Sequence, residues 1–397
     1  MRVLLLTHRL PYPPNRGDRI RSFQLLSHLA TAATVDLVSL VHSDEEERLA
    51  AEVRGIAARV AVARVSKPRS MARALLALPG HTPLTHVLLD SPALSASVAR
   101  MVREARPDVV LAYCSGMARL AFEPPLRDLP FVLDMVDVDS EKWQMLGRTA
   151  GIPMRWIYQR EARRLRAFEH DAGGRARVTF VVNERERAAM LAVNPGARVE
   201  VLSNGIDVER FRPGEELVRT PDVVFCGVFN YEPNERAAIW LAREAWPLVR
   251  RERPDATLSL VGMDPSKAVR ALADLPGVRV TGTVPDVRPY LWRASVSAAP
   301  LQVARGLQNK VLEAIAAGLP CVVTEQVAEG LPDEALPACR IARDADAFAR
   351  ALLELLALPA EQRGLMVGRA GLARLSWGAQ FERLVPLLDA VASHAAG

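Results

Sequence analysis

The segment ARGLQNKVLEAIAAGLPCVVTE, Ala304 to Glu325, holds the residues whose types and spacing best suit chemistry on a phosphorylated ligand. Gly306 falls between an apolar run and a helical one, where backbone can come close to a ligand and a helix N-terminus can face an anion. Lys310 and Glu313 are three apart and share one face of that helix. A lysine one turn in can place a point charge on a diphosphate, and a carboxylate further along can accept hydrogen bonds from two ribose hydroxyls. Ala314, Ala316, Ala317 and Gly318 keep the helix small-sided, able to pack close to a sheet. Only four of the 51 basic residues are lysines, which singles this one out. The competing reading is a surface i,i+3 ion pair worth roughly 0.2–0.5 kcal/mol.

Two polar sets in the first half also follow apolar runs. After Thr7 come His8, Arg9, Asn15, Arg16, Gly17, Asp18 and Arg19. Gly17 precedes a helical run and can let backbone approach phosphates. Pro11, Pro13 and Pro14 stiffen the loop, either as a shaped acceptor wall or as a surface turn that needs Pro and Gly for backbone reasons. VLDMVDVDSEKW, Val132 to Trp143, ends a strand with Asp134, Asp137 and Asp139; these aspartates reach beyond the strand end, or Asp139 or Ser140 caps the next helix. His8 is the one histidine at a strand end in the expected cleft, and the others are scattered without metal spacing. The four cysteines are far apart, with no Cys-x-x-Cys spacing, and read as free buried thiols in a reducing compartment. No Gly-x-Ser-x-Gly elbow, P-loop or G-x-G-x-x-G is present, which removes the usual support for hydrolase triads, P-loop nucleotide hydrolysis and dinucleotide oxidoreduction.

The elements that must position these residues alternate from end to end, as parallel β/α units do. Strands are expected at Val3–Thr7, Val35–Val41, Val109–Tyr113, Phe131–Val136 and Val178–Val182, then at Val223–Cys226, Thr257–Val261, Val278–Thr281, Val296–Pro300 and Pro320–Val323. Helices are expected near Arg19–Thr31, Arg155–His170, Asn234–Arg251, Leu307–Ala317 and Ala345–Leu356. With 397 residues, half of them hydrophobic, the chain suits two α/β domains of roughly 200 residues each. The turn dipeptide Asn204-Gly205 breaks the rhythm, so an N-terminal domain over 1–204 and a C-terminal domain over 205–378 are expected, with the last helix, 379–394, packing back on the first. Ligands of such sheets bind beyond the carboxyl ends of the strands, which points to a cleft between the domains.

The start, MRVLLLTHRL, reads as a buried strand rather than a secretory h-region, and no window approaches about 18 apolar residues, so a cytoplasmic location is expected. The net charge of +5 is uneven: residues 1–200 carry 29 Lys+Arg against 22 Asp+Glu, and the rest 22 against 24. No acid stands between Glu52 and Asp90, where Arg54, Arg59, Arg64, Lys67, Arg69 and Arg73 accumulate. A second basic stretch runs from Arg148 to Arg177. Without an aromatic platform or helix-turn-helix these read as contacts with an anionic membrane, on its inner face, rather than with nucleic acid.

The Ala304–Glu325 segment resembles the donor-site signature of glycosyltransferase family 4, a Gly loop and Glu-bearing helix followed by A-x-x-G-x-P-V-V. SNGIDVERF, FCGVFNYEPN, SLVGMDP and VTGTVPDVRPYLWRA are similar to further motifs of that family, in the same order. RLPYPPNRGDRIRSFQLLSHLA and VLDMVDVDSEKW resemble sugar transferases associated with PEP-CTERM/exosortase and exopolysaccharide gene clusters.

The resemblance implies the GT-B fold, two Rossmann-like domains facing a cleft, and retaining transfer of a sugar from a nucleotide-diphosphate-sugar to a lipid-linked or glycan acceptor. It implies donor contacts from Gly17, Gly227, Asn230, Gly262, Thr283, Val284, Gly306, Leu307, Gln308, Asn309, Lys310 and Glu313. Lys310, Asp137 and Arg305 are the catalytic candidates, and His8, Arg16, Arg19 and Asp139 the acceptor candidates. No metal or cofactor is expected beyond the co-substrate: Asp137-Val138-Asp139 matches the D-x-D of the other glycosyltransferase fold, a one-domain fold this chain does not suit. Two departures stand out. Arg305 replaces the first glutamate of Glu-x7-Glu, which implies a donor sugar bearing negative charge, and the Gly-Arg-Leu…Lys-Gly phosphate clamp is replaced by Asn230, Tyr231 and Asn234. A sugar-nucleotide 2-epimerase and a catalytically silent nucleotide-binding assembly protein are the rival readings.

Overall fold

Strands that are buried on both faces must be apolar throughout, and here they are: Val3–Leu6 and Val109–Ala112 lie at the centre of a sheet with exposures of 0–1%. The structure, a computed structural model, describes residues 1–212, 214, 219–304 and 307–393. It divides into two units, Met1–Leu202 with the chain from Phe381 onward, and Ser203–Gln380.

In the first unit the strands are β1 (Arg2–Thr7), β2 (Thr34–Val41), β3 (Arg59–Arg64), β4 (Val109–Tyr113), β5 (Phe131–Val136), β6 (Val178–Val181) and β7 (Val199–Val201). They form one parallel sheet in the order β3-β2-β1-β4-β5-β6-β7. In the second unit β8 (Asp222–Cys226), β9 (Thr257–Val261), β10 (Val278–Val280), β11 (Val296–Ala299), β12 (Cys321–Thr324) and β13 (Cys339–Ala342) form a parallel sheet in the order β10-β9-β8-β11-β12-β13. Each is a doubly wound, Rossmann-like sheet, and each reverses its strand order once, at β1/β4 and at β8/β11. Ligands of this architecture bind outside the strand ends at such a reversal.

The first unit is pinned by a buried ion pair. Arg21, on the Gly17–Ala30 helix, donates from Nε and Nη2 to the two carboxylate oxygens of Asp134 on β5, at 2.8 and 2.9 Å. Its guanidinium also stands 5.7 Å from the ring centre of Phe381, just before the last helix, Leu384–Ser393.

Strands β7 and β13 are not among those expected, the last helix is divided into Trp377–Phe381 and Leu384–Ser393, and three further elements differ from expectation. β3 lies inside the basic, acid-free stretch, with an arginine at each end; Arg59 is held there by Asp36 of β2 at 2.6 Å. The helix expected over Asn234–Arg251 is a helix over Glu232–Trp240, a π-turn over Leu241–Ala245 and a second helix over Trp246–Glu252. Pro247 lacks an N–H for the regular ladder, which accounts for the break. The helix bearing Lys310 starts at Asn309, two residues later than expected. No helix among the described residues is long and apolar enough to cross a membrane.

Candidate functional site

In the second unit, the residues singled out beyond β8, β9 and β11 come together. Two glycine loops touch. A Cβ on Gly262, whose φ is +150°, would stand 1.7 Å from the Gly227 carbonyl oxygen, so only glycine fits. Main-chain bonds from Gly227 N–H to Val261 O (3.0 Å) and from Phe229 N–H to Met263 O (2.9 Å) fasten the loops. Asn230 donates to Asp264 across them at 3.2 Å.

Against this floor stands Lys310, in the first turn of the Asn309–Ala316 helix. Its Nζ donates to Asn234 Oδ1 at 2.6 Å and lies 5.0 Å from the Phe225 ring centre, turned inward rather than along the helix surface. Asn234 in turn donates to Val228 O at 3.0 Å, so the amide that receives the ammonium is itself held. Removal from water lowers the Lys310 pKa to about 8, partly offset by the neighbouring Cys226 and Glu313. Burial raises the Glu313 carboxyl against the pull of Lys310 and Arg210. A desolvated cation beside glycine backbone is suited to accept a diphosphate, because every charge contact is stronger away from bulk water. Gln308 stands at the N-cap position without a side-chain capping bond, and Asn309 Oδ1 accepts from Asn204 at 3.3 Å. Leu307 and Val284 pack on the core, while Thr283 is exposed in the loop after β10. Arg305 and Gly306 lie outside the described residues.

In the first unit the site candidates are held by one another. His8, directly after β1, offers Nδ1 to Cys114 Sγ at 3.4 Å and Nε2 to Asp18 Oδ2 at 3.7 Å, and its ring stacks on Tyr113 with centroids 5.6 Å apart. Burial alone would lower the His8 pKa, but its interactions with Cys114 and Asp18 raise it to about 10. Asp18 is driven well below the ordinary carboxylate range: burial would raise it, and His8, Arg16 and Arg9 outweigh that. Arg16 reaches Asp18 at 3.9 Å and is otherwise exposed. Arg19, expected to face an acceptor, is instead buried, with its guanidinium 2.5 Å from Glu46, and so fastens helix to helix. Gly17 opens the first helix with nothing within 4 Å of a would-be Cβ.

Asp137 and Asp139 follow β5 as expected. Asp139 accepts from Ser115 Oγ at 2.7 Å. Glu169 accepts from the Ser140 N–H at 2.9 Å, and burial, with the Asp139 charge beside it, pushes its pKa up to about 7. At the ends of neighbouring strands stand two non-glycine residues of positive φ, Cys114 directly after β4 at 71° and Val136 at the end of β5 at 68°. Such conformations cost about 1–3 kcal/mol each and cluster at functional sites.

Cys114, Glu169 and the role of Asn234 were missed from sequence. Cys114 is partly exposed rather than a buried thiol, unlike Cys226, Cys321 and Cys339; its place after a strand was the available signal. Among the described residues no group of three or more His, Cys, Asp or Glu could hold a metal ion.

Residues 220–358 match the family model described as Glycosyl transferases group 1. Along nearly its whole length the chain is similar in structure to a sucrose-phosphate synthase (tll1590) from Thermosynechococcus elongatus, with a TM-score of 0.71, 18% identity, and 99% of this chain and 100% of that one covered. It is similar to Anabaena Alr3699/HepE in complex with UDP (TM-score 0.66, 13% identity, 98% and 100% covered). It is also similar to a UDP-forming α,α-trehalose-phosphate synthase from Burkholderia vietnamiensis (TM-score 0.64, 12% identity, 98% and 100% covered). No curated protein matches the chain. Residues 220–358 of the second unit are thus similar to that family, and the chain has the GT-B fold.

Proposed function

We propose that this protein is a retaining glycosyltransferase of family 4 type that moves a hexosyl or glycuronosyl group from a nucleotide-diphosphate-sugar to a lipid-linked or glycan acceptor, in the synthesis of an exopolysaccharide or other cell-surface polysaccharide. The observation that carries the reading is Lys310, a desolvated cation beside the Gly227 and Gly262 loops. In this reading Lys310 and main-chain N–H groups meet the charge that grows on the departing diphosphate, and Glu313 holds the ribose. Arg305 meets a charged donor sugar, Asp137 contacts the transferred sugar, and His8, Arg16 and Asp139 face the acceptor. UDP, bound by a neighbour of the same fold, is the first nucleotide to try. The test is turnover of a mass-tagged nucleotide-sugar panel with a membrane lipid extract, in the presence of EDTA. Transfer of the sugar to an extractable lipid or glycan is expected. Epimerised donor without transfer points to a 2-epimerase, and nucleotide binding without turnover to a silent assembly protein; either outcome overturns the reading.

A lipid-linked acceptor would be reached from a membrane surface, and the first unit offers one. Met71, Leu75 and Leu76 on the Lys67–Ala77 helix are exposed, as are Ile152, Met154 and Trp156 at the start of the Met154–Arg175 helix; Ile152 is 91% exposed. Arg160 joins the two, donating to the carbonyls of Ala77, Leu78, Gly80 and Thr82 at 2.6–3.1 Å. Exposed Lys67, Arg69 and Arg155 flank the apolar residues, as suits shallow insertion into anionic lipid. Arg64 and Arg73 contribute less than expected, since they pair with Asp44 and Asp90.

A further inference from the structure

We propose that Cys114 is a nucleophilic cysteine, activated by His8, whose reaction with a peroxide or another soft electrophile closes the ligand site of the first unit. Three independent features support it. Cys114 Sγ lies 3.4 Å from His8 Nδ1, and Asp18 stands 3.7 Å from the far nitrogen of the same ring. Nucleophile, base and an acid that orients the base are the parts of an activated nucleophile, whose spacing is often loose without ligand. Second, Cys114 sits at the turn from β4 into a short helix with φ 71° and ψ 164°, a backbone state that non-glycine residues adopt at a cost. Two residues on, a Cβ at Gly116 would stand 2.5 Å from Leu89 Cδ1, so the turn is closed by close packing. Third, the place is the β1/β4 reversal, where a doubly wound sheet binds its ligand. The other three thiols are buried, so Cys114 alone of the four has access.

The chemistry balances without help. With hydrogen peroxide, an S–O bond forms as the O–O bond breaks. The thiol proton, held on His8, passes to the departing oxygen, which leaves as water. Sulfur is oxidised by two electrons to a sulfenic acid and the peroxide is reduced by two. With an alkyl halide, an S–C bond forms, halide leaves and the proton remains on the imidazole. Either product adds bulk beside His8.

The test is limited alkylation with iodoacetamide at pH 7, read peptide by peptide by mass spectrometry. Cys114 should react about tenfold or more faster than N-acetylcysteine under the same conditions, while the other three stay unlabelled. His8→Asn should slow Cys114 by about 10²-fold, the scale of a lost general base, with the other thiols still silent as a check on folding. Labelling no faster than the free thiol overturns the proposal with no variant needed, and so does an equal rate in His8→Asn. The consequence for the site rests on the glycosyltransferase reading. Alkylated protein should keep its affinity for UDP, held by the second unit, while losing transfer. Loss of UDP binding on alkylation contradicts the first-unit location, whereas absence of turnover before labelling counts against the functional reading instead.

Discussion

The two units share a fold, an order of strand winding and a reversal point, but they furnish that point differently. In the second, the floor is glycine backbone, with one desolvated cation, Lys310, beside it. In the first, polar side chains from β1, β4, β5 and three helices are tied to each other, and the strand ends carry strain at Cys114 and Val136. The contrast is chemical. A diphosphate is an invariant, doubly charged group that backbone N–H groups and one lysine can hold, so few side chains are needed. A site shaped by mutually bonded side chains is suited to a particular ligand, and its groups are preorganised by neighbours rather than by backbone.

The same contrast explains what was legible. The second-unit site is written in short contiguous runs, because a glycine loop and the helix after it are local structures; Lys310 and Glu313 could be picked from spacing, and Gly227 and Gly262 from the family resemblance. The first-unit site draws on positions 8, 18, 114, 139 and 169, and only the sheet brings them together. His8 and Asp18 were visible as loop residues, but nothing local tied either to Cys114. Arg19 was misread because charge in a loop looks exposed until its partner, Glu46, is placed. Ten of the thirteen strands were legible; β7 and β13, of three and four residues, were too short to stand out, and β3 carries an arginine at each end. The π-turn before Trp246-Pro247 needed only that a proline be weighed inside a helical pattern.

Four changes would break or sharpen the comparison. The largest concerns the first unit's reliance on internal pairing. Arg21→Met leaves Asp134 charged and buried, and should cost about 3–5 kcal/mol of stability, read from the urea midpoint; a loss under about 1 kcal/mol would show that the pair is dispensable. Next, Lys310→Ala should lower kcat/KM by about 2–4 kcal/mol of transition-state stabilisation with little change in melting temperature.

Third comes pH. The Lys310 pKa is lowered to about 8, so the unfolded chain holds this proton to higher pH than the folded one. Its destabilising effect is therefore full below about pH 8 and is relieved between there and the ordinary lysine range. Ligand binding runs the other way: a diphosphate needs the cation, so UDP affinity should be flat below pH 7.5 and fall by up to about tenfold per unit above 8. Lys310→Ala should show no such fall, and a wild-type profile that stays level to pH 9.5 would remove the lysine from the anion site. The smallest effect is at the membrane. Binding to anionic vesicles should fall with added salt and weaken when Trp156 and Leu76 are changed to Ser, or Lys67 and Arg69 to Gln, by about 1 kcal/mol per basic residue. Salt-insensitive binding, or none, would leave the acceptor off the bilayer.

The central claim is that the second unit holds a nucleoside diphosphate through Lys310 and Glu313, and calorimetric titration of UDP into the full chain tests it most directly. Wild type should bind with one-to-one stoichiometry at pH 7. Lys310→Ala should bind about 30-fold or more weakly, the loss of a charge-assisted contact of about 2 kcal/mol, and Glu313→Gln should bind more weakly by a smaller factor. Equal affinity in all three proteins, at matched melting temperatures, would contradict the account.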